Sequence, residues 1–338
     1  MNIFSNNVYF SIVVPAYNVE NYIYRTISSV LSQSFQDFEL IIINDGSIDK
    51  TVDIINEFSK QSPKINVVNH PKNESTHMAR LNGVAAASGK YVIFLDGDDY
   101  FVKNAFSILY DIIQKNPGYD IYEYGYIRQP SGITYLPFFS GSDRFLAFFD
   151  KQDTPSPTVW NKVYDSAVIK KSFLSMEQTY ISIADDAYES IVIAFYAKKI
   201  MRIEKVITNY QMGTGVSTTY KDYDKTITYL ESIRKVISLV GIFLQNNNLN
   251  ISLDNLSIGF LKHTIYTYIN SQKNEEDKKK LFFMLPTFFG DNIILEYLSQ
   301  IEESHKKDIE TITCSKNYKL GQIILNPLRQ LKQLLGKI

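Results

Sequence analysis

The stretch Tyr91-Val92-Ile93-Phe94-Leu95-Asp96-Gly97-Asp98-Asp99 joins a strand-forming run to three clustered carboxylates. The apolar run predicts a buried strand, and the acidic turn follows directly at its end. Clustered carboxylates repel one another unless a cation neutralises them, and Mg²⁺ and Mn²⁺ prefer such oxygen ligands. Because open α/β sheets bind ligands beyond the carboxyl ends of their strands, the stretch predicts a metal site there. An acidic loop without a metal is the alternative.

Apolar strands and amphipathic helices alternate before this stretch. Strands are predicted at residues 10–14, 38–43 and 65–68, with Pro15 ending the first. Helices are predicted at residues 18–33, from Asp49 onward, and at 76–88. Such alternation indicates right-handed crossovers and an open, doubly wound parallel sheet.

The pattern is less regular after Asp99. A helix is predicted at residues 104–115, a half-exposed strand at 120–126 and a loop-rich region at 128–158. A helix at 183–198 begins with Asp185-Asp186, which is also typical of acidic residues that only cap a helix. One or two strands follow at 200–210, and the loop 211–219 is expected to end the first domain, so that domains are predicted at 1–215 and 216–338.

The second domain is predicted to be all helical. Its helical segment at residues 279–298 is expected to break at Pro286. Its last segment, residues 318–338, sets leucines and isoleucines against lysines and arginine, as in a basic amphipathic helix. Such a helix lies on an anionic membrane or packs on its own domain, and the sequence favours neither.

The composition excludes several classes of function. With 35 Lys+Arg against 36 Asp+Glu, the 338-residue chain has no basic excess for general nucleic-acid binding. The single Cys314 excludes internal disulfides and a cysteine metal cluster. The N-terminus lacks a signal-peptide pattern and no apolar run spans a membrane, so a cytoplasmic protein is expected. The 24 tyrosines and 21 phenylalanines are expected mainly in the core, with sugar stacking as the alternative.

Five motifs, taken in order, resemble family 2 glycosyltransferases with the GT-A fold: Val13-Val-Pro-Ala-Tyr-Asn18, Ile43-Asn-Asp-Gly-Ser47, Ala79-Arg80, Gly89-Lys-Tyr91 and Phe94-Leu-Asp-Gly-Asp-Asp99. The resemblance continues through Trp160-Asn-Lys-Val-Tyr164 and Asp185-Asp186, and covers roughly residues 8–215. It implies a Rossmann-like, mixed and mainly parallel sheet flanked by helices, followed by the all-α appendage. It also implies a nucleotide-diphospho-sugar donor, a divalent Mn²⁺ or Mg²⁺ ion, and inversion at the anomeric carbon.

The resemblance also implies roles on the donor side. Asp98 is the expected metal ligand, and Asp96 is expected to contact the ribose and share in the metal site. Arg80 is expected to assist departure of the nucleoside diphosphate. The base of the nucleotide is expected to contact Asp45, in a pocket shaped by Pro15 and Tyr17.

An inverting transfer also needs a general base. The family usually carries Glu-Asp where this chain has Asp185-Asp186, so Asp186 is the expected base and Asp185 its support. His77 lies three residues before Arg80 on the same helix face, and is expected to be a surface histidine or a neighbour of the diphosphate. Gln211 stands in a loop where the family often has arginine.

These features favour an inverting glycosyltransferase that uses a UDP-sugar and a glycan or lipid-linked acceptor. Bacterial surface polysaccharide or glycoconjugate synthesis at the inner face of the membrane is the expected setting. A metal-dependent sugar nucleotidyltransferase is one alternative, but its usual glycine-rich basic loop is missing after the first strand. A non-catalytic glycan-binding relative is another, against which the retained Asp96, Asp98, Arg80 and Asp186 speak.

Overall fold

The computed structural model describes residues 8–137, 143–150, 155–213, 223–269, 272 and 274–300. Strands of this part form one sheet: β1 (Phe10–Ala16), β2 (Phe38–Asn44), β3 (Ile65–Asn69), β4 (Tyr91–Phe94), β5 (Tyr100–Phe101), β6 (Ile121–Gln129), β7 (Ile133–Tyr135), β8 (Lys162–Asp165) and β9 (Ile200–Gln211). Their spatial order is β3-β2-β1-β4-β8-β6-β9-β5, with β7 paired to β6.

The sheet is parallel in one half and mixed in the other. Strands β1 to β4 pair in parallel, whereas β8 runs antiparallel to both β4 and β6. Strand β9 pairs in parallel with β6 and antiparallel with β5. The expected mixed α/β sheet with flanking helices is confirmed, but an uninterrupted doubly wound parallel sheet holds only for the first half. After β5 the chain needs fewer helical crossovers, because antiparallel neighbours do not require them.

Helices cover both faces of the sheet and continue beyond it: α1 (Ile23–Leu31), α2 (Thr51–Gln61), α3 (Thr76–Ala86), α4 (Ala105–Lys115), α5 (Arg144–Ala147), α6 (Ser166–Leu174), α7 (Asp185–Tyr196), α8 (Tyr223–Asn246), α9 (Asp254–His263), α10 (Glu275–Phe289) and α11 (Asp291–Gln300). A π-helical turn, Thr264–Ile269, extends α9. Helix α1 begins later than predicted because Asn18 adopts φ 51° and its Oδ1 accepts a 2.9 Å hydrogen bond from the backbone of Ile48.

Alternating side chains divide the sheet between two hydrophobic cores. On β1, Val13 packs into the core formed with α3, α6 and α7, whereas Ile12 and Val14 pack into the core formed with α1 and α4. This is the period of two expected for a strand covered on both faces. Helices α3 and α7 therefore lie on the same face, although far apart in sequence.

Helix α8 belongs to two cores. Its second half, with Val236 and Val240, joins the core of α3 and α7, while its first half, with Leu230 and Ile233, packs against α9 and α10. Helix α10 continues through Pro286 to Phe289, and Gly290 follows it with φ 82°. The predicted break at Pro286 is therefore wrong. The helix breaks about one turn later, at Gly290, because glycine adopts this backbone conformation without strain.

Two sequence predictions concern residues outside those described. The domain boundary near residues 215–216 and the amphipathic helix at 318–338 both remain predictions. Within the described residues, no single helix is long and apolar enough to cross a membrane. Among the helices described, only α10 and α11 taken together pass such a test, by length and composition alone, and they are bent by 115° at their junction.

Candidate active site

The acidic turn Asp96–Asp99 follows β4 and packs against α1 and the end of β1. The hydroxyl of Thr26 lies 2.9 Å from the carbonyl oxygen of Gly97 and 2.7 Å from that of Asp99. A Cβ atom at Gly97 would lie 3.1 Å from the carbonyl oxygen of Pro15. A side chain at this position would crowd the end of β1, so glycine favours this close approach.

Asp99 has a structural role in this turn. It is 1% exposed, and its Oδ1 accepts a 2.7 Å hydrogen bond from the backbone N–H of Gln211 at the end of β9. Burial, together with the charges of Asp96 and Asp98, raises the pKa of Asp99 well above its usual value. This oxygen of the carboxyl group therefore ties the turn to β9.

Asp96 and Asp98 are the half-buried carboxylates of the turn. Burial raises the pKa of Asp96 to about 6, and the charges of Asp186 and Asp98 add to this while Arg80 opposes it. A divalent cation would relieve this repulsion, and carboxylate oxygens are the ligands that Mg²⁺ and Mn²⁺ prefer. The pair therefore fits the metal predicted from the sequence.

Arg80, on α3, connects the two groups of carboxylates. Its side chain is buried, and Nη2 lies 3.2 Å from Asp96 Oδ1. Its Nη1 lies 2.5 Å from Asp186 Oδ1, 3.1 Å from Asp185 Oδ2 and 3.0 Å from Glu189 Oε2. One guanidinium thus contacts both the predicted metal site and the predicted base.

Asp185 and Asp186 form the first turn of α7. The residue before them, Ala184, has no side chain that can cap the helix, and both carboxylates contact Arg80. Burial raises the pKa of Asp185 to about 7, with Arg80 opposing and Asp186 and Glu189 adding to the shift. Burial also raises the pKa of Asp186 against the effect of Arg80. A carboxylate whose pKa is raised towards neutrality is suited to accept a proton.

The carboxylates of Asp185, Asp186 and Glu189 lie within 4.8 Å of one another, as metal ligands do. The Nη1 atom of Arg80 is within 3.1 Å of all three residues. The guanidinium therefore supplies one positive charge to this cluster, which it shares with Asp96.

His77 is fully buried, so the expectation of a surface histidine is wrong. Its Nδ1 lies 2.8 Å from Glu189 Oε1 and its Nε2 lies 3.1 Å from the carbonyl oxygen of Glu177. Both partners are acceptors when Glu189 is ionised, so the ring donates from both nitrogens and is an imidazolium. Burial lowers the pKa of His77, but the hydrogen bond and charge of Glu189 outweigh it and raise the pKa.

Sequence reasoning missed Glu189. The available signal was its position four residues after Asp185, which puts the two on one helix face. Burial raises the pKa of Glu189, but Arg80 and His77 outweigh that effect and lower it. The residue is therefore an ionised carboxylate in the interior, held between two cations.

Asp45 is 2% exposed, and both of its oxygens hold the loop before α3. Oδ1 lies 2.7 Å from His70 Nδ1 and accepts from the backbone of Glu74, while Oδ2 accepts from Asn73 Nδ2 and the backbone of Ser75. The structure thus shows a loop-anchoring role. The contact with a nucleotide base stays a prediction.

Pro15 and Tyr17 lie at the carboxyl end of β1. The strand continues through Pro15 to Ala16, so the prediction that Pro15 ends the strand is wrong. The missing N–H is tolerated because it falls next to the end of the strand. Tyr17 is 42% exposed in the following loop, and the backbone N–H of Asp45 donates to the carbonyl oxygen of Ala16. The predicted base-pocket residues are therefore neighbours, and their role stays a prediction.

Arg25, on α1, contacts Gln211, which takes the place of an arginine and is the last residue of β9 rather than part of a loop. Its Nη2 lies 2.9 Å from the carbonyl oxygen of Asp98 and 3.1 Å from Gln211 Oε1. Its guanidinium also lies 4.1 Å from the centroid of the Tyr100 ring. Sequence reasoning missed this residue, because no local pattern relates α1 to the end of β9.

Comparisons with known proteins bear on the family and the fold. The sequence profile described as Glycosyl transferase family 2 matches residues 11–176. An uncharacterized glycosyltransferase of Bacillus subtilis, EpsJ, is 39% identical over 128 residues, which are 38% of this chain and 37% of that protein. TuaG of B. subtilis, provisionally named as a teichuronic acid biosynthesis glycosyltransferase, is 40% identical over 94 residues, or 28% of this chain and 37% of TuaG.

These curated relatives are matched over little more than a third of their length. The fold also matches the crystal structure of S. aureus TarS 1–349 in complex with UDP-GlcNAc, with a TM-score of 0.62. That match covers 93% of this chain and 92% of the other at 18% sequence identity, so it shows the fold alone.

Proposed function

Residues 11–176 belong to glycosyl transferase family 2, and we propose that this chain transfers a sugar with inversion from a UDP-sugar to a hydroxyl of a glycan or lipid-linked acceptor. The observation that carries the proposal is the buried guanidinium of Arg80, which contacts Asp96 and Asp186 at once. The guanidinium thus links Asp96, which would help to hold the metal beside the leaving group, to Asp186, which would accept the proton of the acceptor hydroxyl.

On the donor side, departure of the nucleoside diphosphate leaves negative charge on its β-phosphate. Asp98 and Asp96 would hold Mn²⁺ or Mg²⁺, which supplies Lewis-acid stabilisation of that charge when bound. Arg80 contributes a permanent positive charge beside Asp96, in a buried setting where such charges act strongly. Pro15, Tyr17 and Asp45 lie at the neighbouring strand ends, where the base is proposed to bind.

On the acceptor side, Asp186 accepts the proton of the attacking hydroxyl. Burial raises the pKa of Asp186, which favours proton uptake, and the hydrogen bond from Arg80 fixes the direction of its carboxylate. Asp185 shares the same guanidinium and supports this orientation. Inversion follows when the hydroxyl attacks opposite the leaving group, which needs one base on the acceptor side only.

The biological setting is proposed from the relatives. TuaG is provisionally named for teichuronic acid biosynthesis and TarS was solved with UDP-GlcNAc. These names support a hexosyl or N-acetylhexosaminyl transfer in surface polysaccharide or glycoconjugate synthesis, at the inner face of the cell membrane. The proposed membrane contact rests on the sequence pattern of residues 318–338 alone.

Calorimetry with UDP, GDP and CMP, each with and without Mn²⁺, tests the donor site. We expect UDP to bind most tightly, and Mn²⁺ to strengthen that binding. A panel of UDP-sugars assayed for nucleotide release then identifies the donor. Failure of every nucleotide to bind in the presence of Mn²⁺ would contradict the proposed function.

A further inference from the structure

Four aromatic side chains form a continuous ladder beside the active site. Tyr135 and Tyr126 stack with their centroids 5.0 Å apart, and Trp160 and Tyr210 stack with centroids 4.9 Å apart and planes within 6°. Tyr126 and Trp160 pack in a T-shaped arrangement with their centroids 4.7 Å apart, which joins the two pairs. Trp160 is buried, whereas the three tyrosines are half-buried. We call these four residues the aromatic ladder.

A bulge between β6 and β9 creates the ladder. On β6, Tyr122 and Tyr124 belong to the core of α1 and α4, and regular alternation would place Tyr126 with them. The register instead shifts on either side of Gly125, and Tyr126 packs against the core of α7. Bulges redirect side chains in this way and are frequent next to active sites.

Gly125 permits the close contact that the ladder requires. A Cβ atom there would lie 2.7 Å from Leu136 Cδ2 and 2.8 Å from the carbonyl oxygen of Tyr135. Glycine therefore lets β7 approach β6 closely enough for Tyr135 to stack on Tyr126. The bulge and the glycine together put the ladder on the face of the sheet that carries α7 and Asp186.

One end of the ladder lies beside the donor-side carboxylates. Tyr210 directly precedes Gln211, whose backbone N–H donates to Asp99. Burial raises the pKa of Tyr210 to about 12, and the charges of Asp99, Asp96 and Asp98 add to the shift. The phenol of Tyr210 is thus in the field of the acidic turn, while its ring stacks on Trp160.

The ladder also adjoins the base side. Lys162 follows Trp160 by two residues, and burial lowers its pKa to about 8 against the opposing charges of Glu123 and Asp186. On the preceding loop, the carbonyl oxygen of Pro157 accepts a 2.7 Å hydrogen bond from Ser190 on α7. The loop and strand that carry Trp160 therefore also contact α7, the helix of Asp186.

Polar groups are placed at the edges of the rings. Arg128 lies 5.4 Å from the centroid of the Tyr135 ring, and its Nη1 donates to the Tyr135 hydroxyl at 3.2 Å. Within the described residues, the buried Nε of Arg128 has no hydrogen-bond partner. Flat apolar faces with hydroxyl and guanidinium groups at their edges are typical of a site for a ring-shaped polar ligand.

We propose that the aromatic ladder is the acceptor subsite and that it binds the pyranose ring of a saccharide. This inference rests on the proposed function, because it names the substrate class of the acceptor side. The C–H bonds on a pyranose face carry slight positive charge and match the negative faces of the rings. Ring hydroxyls would bond to Arg128 and the tyrosine hydroxyls. A linear polyol offers no such flat face.

Trp160 is the only tryptophan of the chain, so its fluorescence reports on the ladder directly. We would titrate the full chain with methyl β-glucoside, methyl β-galactoside, methyl N-acetyl-β-glucosaminide and chitobiose, with glycerol as the non-ring control. We expect a saturable emission change with at least one glycoside, with a Kd on the order of millimolar, and none with glycerol. An emission that no glycoside changes, or that glycerol changes equally, would overturn the proposal.

Matched variants separate stacking from packing. Tyr135→Phe keeps the ring and should bind the responding glycoside within about twofold of the parent, whereas Tyr135→Leu should weaken binding roughly two- to tenfold. Tyr24→Ala on α1 is the control, since Tyr24 is exposed and its ring contacts Phe58 of α2 rather than a ladder residue. Equal glycoside binding by the Phe and Leu variants would contradict stacking.

UDP binding measured on the same proteins keeps the two proposals distinct. We expect UDP to bind Tyr135→Leu as it binds the parent. If UDP binds and glycosides do not, only the acceptor proposal fails. If UDP does not bind the parent chain, both the proposed function and the acceptor proposal fail.

Discussion

Arg80 donates a 2.5 Å hydrogen bond from Nη1 to Oδ1 of Asp186. The same guanidinium reaches Asp96 from Nη2, so a single rigid group fixes the separation between the donor-side and acceptor-side carboxylates. A planar guanidinium with several donors can do this, whereas the point charge of lysine cannot. The relative position of the two sites therefore depends on one buried side chain.

Replacing the proposed base should separate donor binding from transfer. Asp186→Asn keeps the size of the side chain and its contact with Arg80 but cannot accept the proton. We expect a roughly 10²- to 10⁴-fold loss of kcat, with UDP affinity by calorimetry close to that of the parent. Asp185→Asn is the matched control and should lose less. Turnover of Asp186→Asn near the parental rate would move the base elsewhere.

Replacing the proposed metal ligand should abolish the effect of Mn²⁺ on nucleotide binding. Asp98→Asn removes a charged oxygen ligand without changing the shape of the turn. We expect calorimetry to give the same UDP affinity for this variant with and without Mn²⁺. Asp111→Asn, on the exposed side of α4, is the control and should keep the metal effect. If Asp98→Asn also keeps it, the metal is bound by other residues.

The stability contributed by His77 should depend on pH. Glu189 raises the pKa of His77 in the folded state despite the opposing effect of burial. The contribution is therefore fully present below the unfolded pKa of about 6.5 and is lost as the pH rises through the folded value. Urea unfolding should show that His77→Asn is most destabilised relative to the parent at low pH, with a smaller difference at high pH.

His263→Asn is the control for this pH series. Burial lowers the pKa of His263, so any pH dependence of its contribution falls on the acid side instead. A difference between His77→Asn and the parent that stays constant across the pH range would contradict an imidazolium at His77.

Filling the space at Gly125 should disturb the aromatic ladder. Gly125→Ala places a methyl group against Leu136 and the backbone of Tyr135, and we expect a loss of about 1–3 kcal/mol in the free energy of unfolding. Trp160 emission should change in the folded state. Gly259→Ala on α9 is the control: a Cβ atom there meets nothing within 4 Å, so the change should be neutral or stabilising. A Gly125→Ala variant with parental stability and emission would show that β7 adapts freely.

The sequence alone predicted the features that depend on local pattern. A buried strand followed by acidic residues predicted the turn Asp96–Asp99, and the acidic start of a helical stretch indicated Asp185 and Asp186 as site residues. Alternating strands and helices, with the family motifs, indicated the fold. These features can be predicted from the sequence because hydrophobic periodicity and turn residues determine local structure within a few positions along the chain.

The tertiary structure alone decided which distant groups meet. Arg80 lies between Asp96 and Asp186, His77 pairs with Glu189, and Trp160 stacks on Tyr210, although the members of each pairing come from different elements. The burial of His77 and the redirection of Tyr126 by a bulge have no local sequence signal. Such contacts follow from how helices pack on the sheet and how strands pair in register, which the whole chain determines together.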